Sequence, residues 1–203
     1  MNWVSLFRTL KSDLPIQVGL VNNDLAQHIG KDFLYVDRGY WDRQRKFRII
    51  RGGVHLTRQL DRPTDRQYGA EIRPWRKDGT FIVVIPPSQY QCAIFPDASA
   101  WLKNLDLATD REIRVKTDKQ LPFEEYLQGA WAVVSYGSVA AVKAAMWGYP
   151  VLAGPHCPAT PISCESLEKP VFKERSPWIC SLSYAQWTFE EARAMNLNEY
   201  DYR

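Results

Sequence analysis

The sequence predicts an α/β protein: a parallel sheet with helices on both faces in the second half, preceded by a small basic α+β portion. Three observations carry that expectation. From residue 79 onward, apolar runs of strand length alternate with segments of helical periodicity, the order that builds parallel sheets through crossover connections. The runs "TFIVVI" and "WAVVS" are continuous rather than alternating, as in strands buried on both faces. Basic residues concentrate between Arg38 and Lys77, with twelve Lys or Arg against four Asp or Glu, a local net of +8 in a chain whose total is +3.

Residues 1–31 open on a short amphipathic stretch followed by "IQVGLV", a first strand. The run Phe33–Val36 reads as a second strand, closed by Asp37 and the turn-forming Gly39. "FRII" follows as a third, broken by Gly52-Gly53. Residues 57–78 are polar, Pro-containing and dense in charge, which predicts loop or edge structure. From residue 79 the pattern becomes Rossmann-like. Strand "TFIVVI" is stopped by Pro86-Pro87, a helix follows in "DASAWLKNLDLATD" with Ala98, Trp101, Leu102 and Leu105 at helical spacing, and "REIRVKTD" is the next strand. A short helix "PFEEYLQGA", strand "WAVVS", helix "SVAAVKAAMWG" and strand "YPVLAG" complete the alternation. The tail opens as a loop, and Thr188 with Glu191 forms a capping box for a last helix. The expected division is a basic portion over 1–78 and a Rossmann-like domain over 79–203.

Composition narrows the class. A hydrophobic content of 45% and a charged content of 24% fit an ordinary globular protein able to bury a sizeable core. No run approaches the length of a membrane span, and the start lacks the pattern of a signal peptide. Four cysteines show no CxxC pair and no histidine at metal spacing, which predicts reduced thiols in a cytoplasmic protein. The basic block points to a polyanionic ligand, either nucleic acid or an acidic saccharide. Its candidate contacts are Arg38, Tyr40, Arg43, Arg45, Arg51 and Arg76, and the aromatic residues Tyr40, Trp41, Phe47, Tyr68 and Trp75 interleave with its charges.

The most informative stretch is "VVSYGSVAAVKAAMWGYPVLAG", residues 133–154. It places Ser135, Tyr136, Gly137 and Ser138 at a strand's carboxyl end, immediately before a helix N-terminus. In open α/β sheets ligands bind there, and free amides with the positive end of the helix dipole suit a phosphate. The same turn could equally be a capped elbow with no ligand. Strand, Ser-Tyr-Gly-Ser, helix and Gly148-x-Pro150-Val151 together resemble the C-terminal half of GT-B glycosyltransferases. Capsule-type transferases are nearest in pattern, and UDP-sugar 2-epimerase relatives are looser. The likeness covers roughly residues 79–155. It implies a nucleotide-sugar donor as substrate, held by Ser88 in "IPPS", by Lys116 in "RVKTD" and by Ser135–Ser138, with no metal and no further cofactor. Two features depart from the family: Lys143 stands where many members carry an acidic residue near the donor ribose, and the N-terminal half is reduced to residues 1–78.

A transferase needs a base for the acceptor and positive groups for the leaving phosphate. Asp37, at a strand end beside Arg38 and Tyr40, is the first candidate base, and His55, after the Gly52-Gly53 break, is the second. His156, in "GPHCPATP", could reach the donor pocket, whereas His28 reads as a surface residue. Two other functions remain open: a DNA-binding or DNA-base-modifying protein of phage type that works through the basic block, and a nucleotide-binding module without catalysis. A chain this short could also complete its cleft as a homodimer.

Overall fold

A computed structural model describes residues 10–19, 23–63, 65–66, 69–105, 107–116 and 121–199. Two four-stranded sheets form its frame. The first takes β1 (Ile16–Val18), β2 (Leu34–Arg38), β3 (Lys46–Arg51) and β8 (Gln186–Thr188), in that spatial order. It is mixed: β1 runs parallel to β2, while β2–β3 and β3–β8 are antiparallel. The second is all parallel and takes β4 (Phe81–Ile85), β5 (Glu112–Val115), β6 (Ala130–Ser135) and β7 (Val151–Ala153) in the order β5-β4-β6-β7. The α/β class and the parallel second half thus stand as the sequence predicts.

Six helices connect these strands among the described residues: α1 (Gln89–Ile94), α2 (Ala98–Asn104), α3 (Phe123–Tyr126), α4 (Val139–Met146), α5 (Ser176–Tyr184) and α6 (Phe189–Ala194). Each boundary has a local cause. Pro86-Pro87 remove two ladder donors after β4, and Ser88 then caps α1 reciprocally with Gln91. Ser138 caps α4 by accepting the Ala140 amide at 3.1 Å, and Gly148, at φ +89°, turns the chain out of the helix. Thr188 and Glu191 make the expected capping box on α6.

Packing explains why the apolar runs of β4 and β6 are continuous. Phe81, Val83 and Ile85 enter one core with Ala141, Val142, Ala144 and Ala145 of α4 and Trp178, Ile179 and Leu182 of α5. Ile82 and Val84 enter another on the opposite face, with Trp131, Ala132, Val134, Cys164 and Leu167. Tyr35 and Ile50 of the mixed sheet belong to the first of these cores, so the two sheets share buried contacts. The outer face of the mixed sheet, Leu34, Val36, Phe47 and Ile49, is covered by Ala192 of α6 and by Leu197. Residues 186–194 therefore lie with the N-terminal sheet, whereas the division expected at residue 78 assigned them to the other half. Pairings such as Lys46 with Thr188 bring the two ends of the chain together. Among the described residues, no helix is long and apolar enough to cross a membrane.

Candidate functional site

The strand order sets the place of the site. β4 has β5 on one side and β6 on the other, so the connections leaving β4 and β6 diverge and open a crevice at their carboxyl ends. The two loops at that crevice are 86–88 and 136–138. Gln91, a buried residue of α1, joins them: its Oε1 accepts the Ser88 amide at 2.9 Å and its Nε2 donates to the Gly137 carbonyl at 2.8 Å. A side chain at Gly137 would place its Cβ 2.5 Å from that amide nitrogen, so the glycine makes room for Gln91. The spacing Ser88-x-x-Gln91 was the readable signal for this residue, which the sequence analysis passed over.

The Ser-Tyr-Gly-Ser turn is turned largely inward. Ser135 and Tyr136 are fully buried. Ser135 Oγ accepts the Ser138 amide at 3.1 Å, and the Tyr136 hydroxyl donates to Asp97 Oδ1 at 2.8 Å. Ser138, half-buried, keeps the most access of the four, and Ser88 is exposed at the start of α1. Lys116 follows β5, on the side of β4 away from β6, with its Nζ 4.8 Å above the Tyr126 ring.

Beside this crevice a cleft of about 670 Å³ separates residues 50–58, the end of β3 and the loop after it, from Phe95 and His156 of the parallel half. The His156 ring stacks on Phe95 with centroids 3.7 Å apart, and its Nε2 lies 4.0 Å from Asp97 Oδ1. Burial lowers the His156 imidazole below its ordinary value, and Asp97 opposes that shift. His55 enters from the other wall. It is buried, with 9% of the residue exposed, and Nδ1 has no hydrogen-bond partner among the described residues. Burial pulls this imidazole well below its ordinary value, Arg48 adds to the effect, and the Gly137 carbonyl opposes it. In both histidines burial favours the neutral imidazole.

A residue with a folded-state value depressed in this way binds fewer protons than the unfolded chain below about pH 6.5. Stability from His55 is therefore complete above that pH and is lost as pH falls through it. Urea midpoints should drop between pH 7.5 and pH 5.5, and His55→Gln should flatten the drop; His156 contributes in the same sense.

Asp37 is placed differently from the expectation. Its Oδ2 accepts from Arg48 at 2.7 Å and from the Tyr35 hydroxyl at 2.9 Å, while Oδ1 accepts the Arg38 amide at 2.7 Å. It lines neither of the two large clefts. Arg48, only 2% exposed, also donates from Nε to the Val54 carbonyl at 3.2 Å, and the buried Tyr40 hydroxyl accepts the Leu56 amide at 2.9 Å. Those two bonds fix the residues on either side of His55. Asp37 thus anchors, through Arg48, the segment that carries His55.

The basic block does not form one surface. Arg51 pairs with Asp32 at the rim of the histidine cleft, Nε to Oδ1 at 2.7 Å. Arg38 donates to the Arg43 carbonyl and lies over Phe47, and Arg76 lies 5.0 Å over Tyr149. Arg43 and Arg45 line a second cleft, near the β2–β3 turn. Tyr40, Trp41 and Phe47 are buried, and Trp75 sits under the Arg175 guanidinium at 4.0 Å, so these rings are not platforms for nucleic-acid bases. Tyr68 lies outside the described residues. Cys157, Cys164 and Cys180 are buried free thiols, and burial pushes Cys157 up to about 12.

What the fold and site define is an α/β protein with a cleft at the carboxyl edge of a parallel sheet. Compared with known proteins, the chain finds no matching family model, and no curated protein matches it.

Proposed function

We propose that the chain is a glycosyltransferase-like protein whose parallel half is Rossmann-like, with helices on both faces, and binds a nucleotide-activated sugar at its carboxyl edge. The observation that carries this reading is a coincidence of position. The reversal of strand order between β4 and β6 falls beside the cleft where His55 approaches Gly137 and His156 stands opposite. Reversals of this kind are where open α/β sheets bind nucleotides. In this reading the amides at the start of α4 and the Ser138 hydroxyl receive donor phosphates. Lys116 assists from the neighbouring strand, and His55 replaces Asp37 as the acceptor's base. A nucleotide-binding module without turnover is the second reading, favoured by Gln91, which ties together the two loops of the crevice.

A thermal-shift screen against UDP, CMP, GDP, ADP and their sugar conjugates tests the proposal. A ligand at about a hundred times its dissociation constant adds roughly 2.7 kcal/mol. For a chain of this size that raises the midpoint by about 5–10 °C. One nucleotide series should give such a shift, reduced in Ser138→Ala and His156→Ala. Absence of a shift with every nucleotide overturns it. Turnover of the sugar conjugate, lost in His55→Gln, separates the transferase from the module.

A further inference from the structure

A second cleft, of about 910 Å³, is not the one that holds the histidines. It lies between the β2–β3 turn and the last turns of α4, and Tyr40 marks the boundary: it lines this cleft while its ring centroid is 6.2 Å from that of His55. We propose that this second cleft binds an acidic oligosaccharide, a ligand that carries both anionic groups and hydroxyls. The binding is independent of the donor site; only its role as acceptor rests on the transferase reading.

Charge is the first argument. Arg43, Arg45, Lys46, Arg73 and Lys143 face the cleft, against Asp42, Glu71 and Glu124. The carboxylates are engaged by Arg45, at 3.2 Å from Asp42, and by Arg73, at 3.0 Å from Glu71 and 2.8 Å from Glu124. Arg43 and Lys143 have no carboxylate partner among the described residues; Arg43 reaches only the Gly39 carbonyl at 3.5 Å, and Lys143 Nζ lies 4.4 Å over the Trp147 ring. A concave wall with surplus cations concentrates anions. Lys143 is also the residue that departs from the family pattern, and it faces this cleft, not the histidine one.

Chemistry of the lining decides which anion. A nucleic-acid strand needs ring faces for its bases, and Trp41 and Trp147 are too buried to stack them. An acidic sugar offers carboxylates to Arg43 and Lys143 and hydroxyl donors to Glu71, Glu124 and Asp42. The lining is matched to that mixture, and the volume is that of a pocket for a compact ligand.

The test is titration of the full chain with an oligogalacturonate, read by tryptophan fluorescence or calorimetry, with maltohexaose and oligothymidylate as comparisons. The acidic sugar should bind, and Arg43→Gln and Lys143→Gln should each weaken it roughly tenfold, the loss of one charge-assisted contact. Arg114→Gln, outside the cleft, should leave binding unchanged. Glu71→Gln should also weaken it, because one carboxylate oxygen that accepts a sugar hydroxyl becomes an amide donor and the charge that strengthens the other is lost, whereas a site selecting bare negative charge would tighten. No binding at low salt, equal binding by the Arg43 and Lys143 variants, equal binding of maltohexaose, or tighter binding of oligothymidylate through the same residues would overturn the proposal. None of these outcomes depends on whether a nucleotide raises the midpoint.

Discussion

Arg48→Met is expected to lower stability by about 3–5 kcal/mol, the cost of breaking a buried ion pair by removing one partner. The thermal midpoint should fall by roughly 6–20 °C. The guanidinium is 2% exposed and lies between the Tyr35 and Tyr40 rings, 5.4 and 5.7 Å from their centroids. Burial works against its charge, but Asp37 and the two tyrosines outweigh that and hold it protonated. Methionine fills the space yet strands the Asp37 carboxylate and the carbonyls of Arg38 and Val54. Asp37→Asn should destabilise as well, since it leaves Arg48 charged without a counterion. An exposed catalytic base replaced by its isostere would leave the midpoint in place. Chemical denaturation of the two variants decides between these roles.

Gly148→Ala should cost about 3 kcal/mol or more, combining left-handed strain with a steric clash. The residue sits at φ +89°, and an added Cβ would lie 2.0 Å from the Pro74 carbonyl oxygen. Neither neighbour can yield cheaply. Residues 73–76 run along the end of α4, with the Arg73 amide on Met146 O at 2.8 Å and the Arg76 amide on Gly148 O at 2.7 Å. Arg175 closes the same junction by donating to the carbonyls of Ala145 and Arg73 and brings a cation to the negative end of the helix dipole. Gly52→Ala is the comparison: φ is +70° but nothing lies within 4 Å, so its cost should be near 1 kcal/mol. Urea midpoints of the two variants measure the difference. The Gly148-x-Pro150 pattern therefore has a packing cause in this chain, whatever its part in a donor site.

How far the sequence could be read follows from which signals are local. β4 and its stop at Pro86-Pro87, the alanine-rich α4 and the α6 capping box all rest on neighbours in the chain, and all were legible. Strand β8 is three residues long and exists through its pairing with β3, which no local pattern announces. Helix α5 was missed although Trp178, Ile179 and Leu182 have helical spacing, because the prolines and charges before it read as loop. At the site, Asp37 and Arg48 stand directly opposite across the β2–β3 hairpin. An arginine flanked by Phe47 and Ile49 in an apolar strand was the available signal for that pair. The charge count of the basic block could not show that Arg48 is buried and that Arg38 and Arg76 lie over aromatic rings. Likewise, the Ser-Tyr-Gly-Ser turn was placed correctly on the sheet, but its inward hydrogen bonds depend on Asp97 and Gln91, distant in sequence.

In the proposed function the nucleotide donor lies at the carboxyl edge of the parallel sheet, beside the cleft between His55 and His156. The most direct test of that placement is a ring-carbon NMR titration of the histidines with the nucleotide that most raises the thermal midpoint, observed together with the Trp147 indole. The account predicts that the His55 and His156 signals move in step with ligand while Trp147, in the second cleft, stays in place. Movement of Trp147 with both histidines unchanged, or no saturable change at any nucleotide concentration, would contradict it.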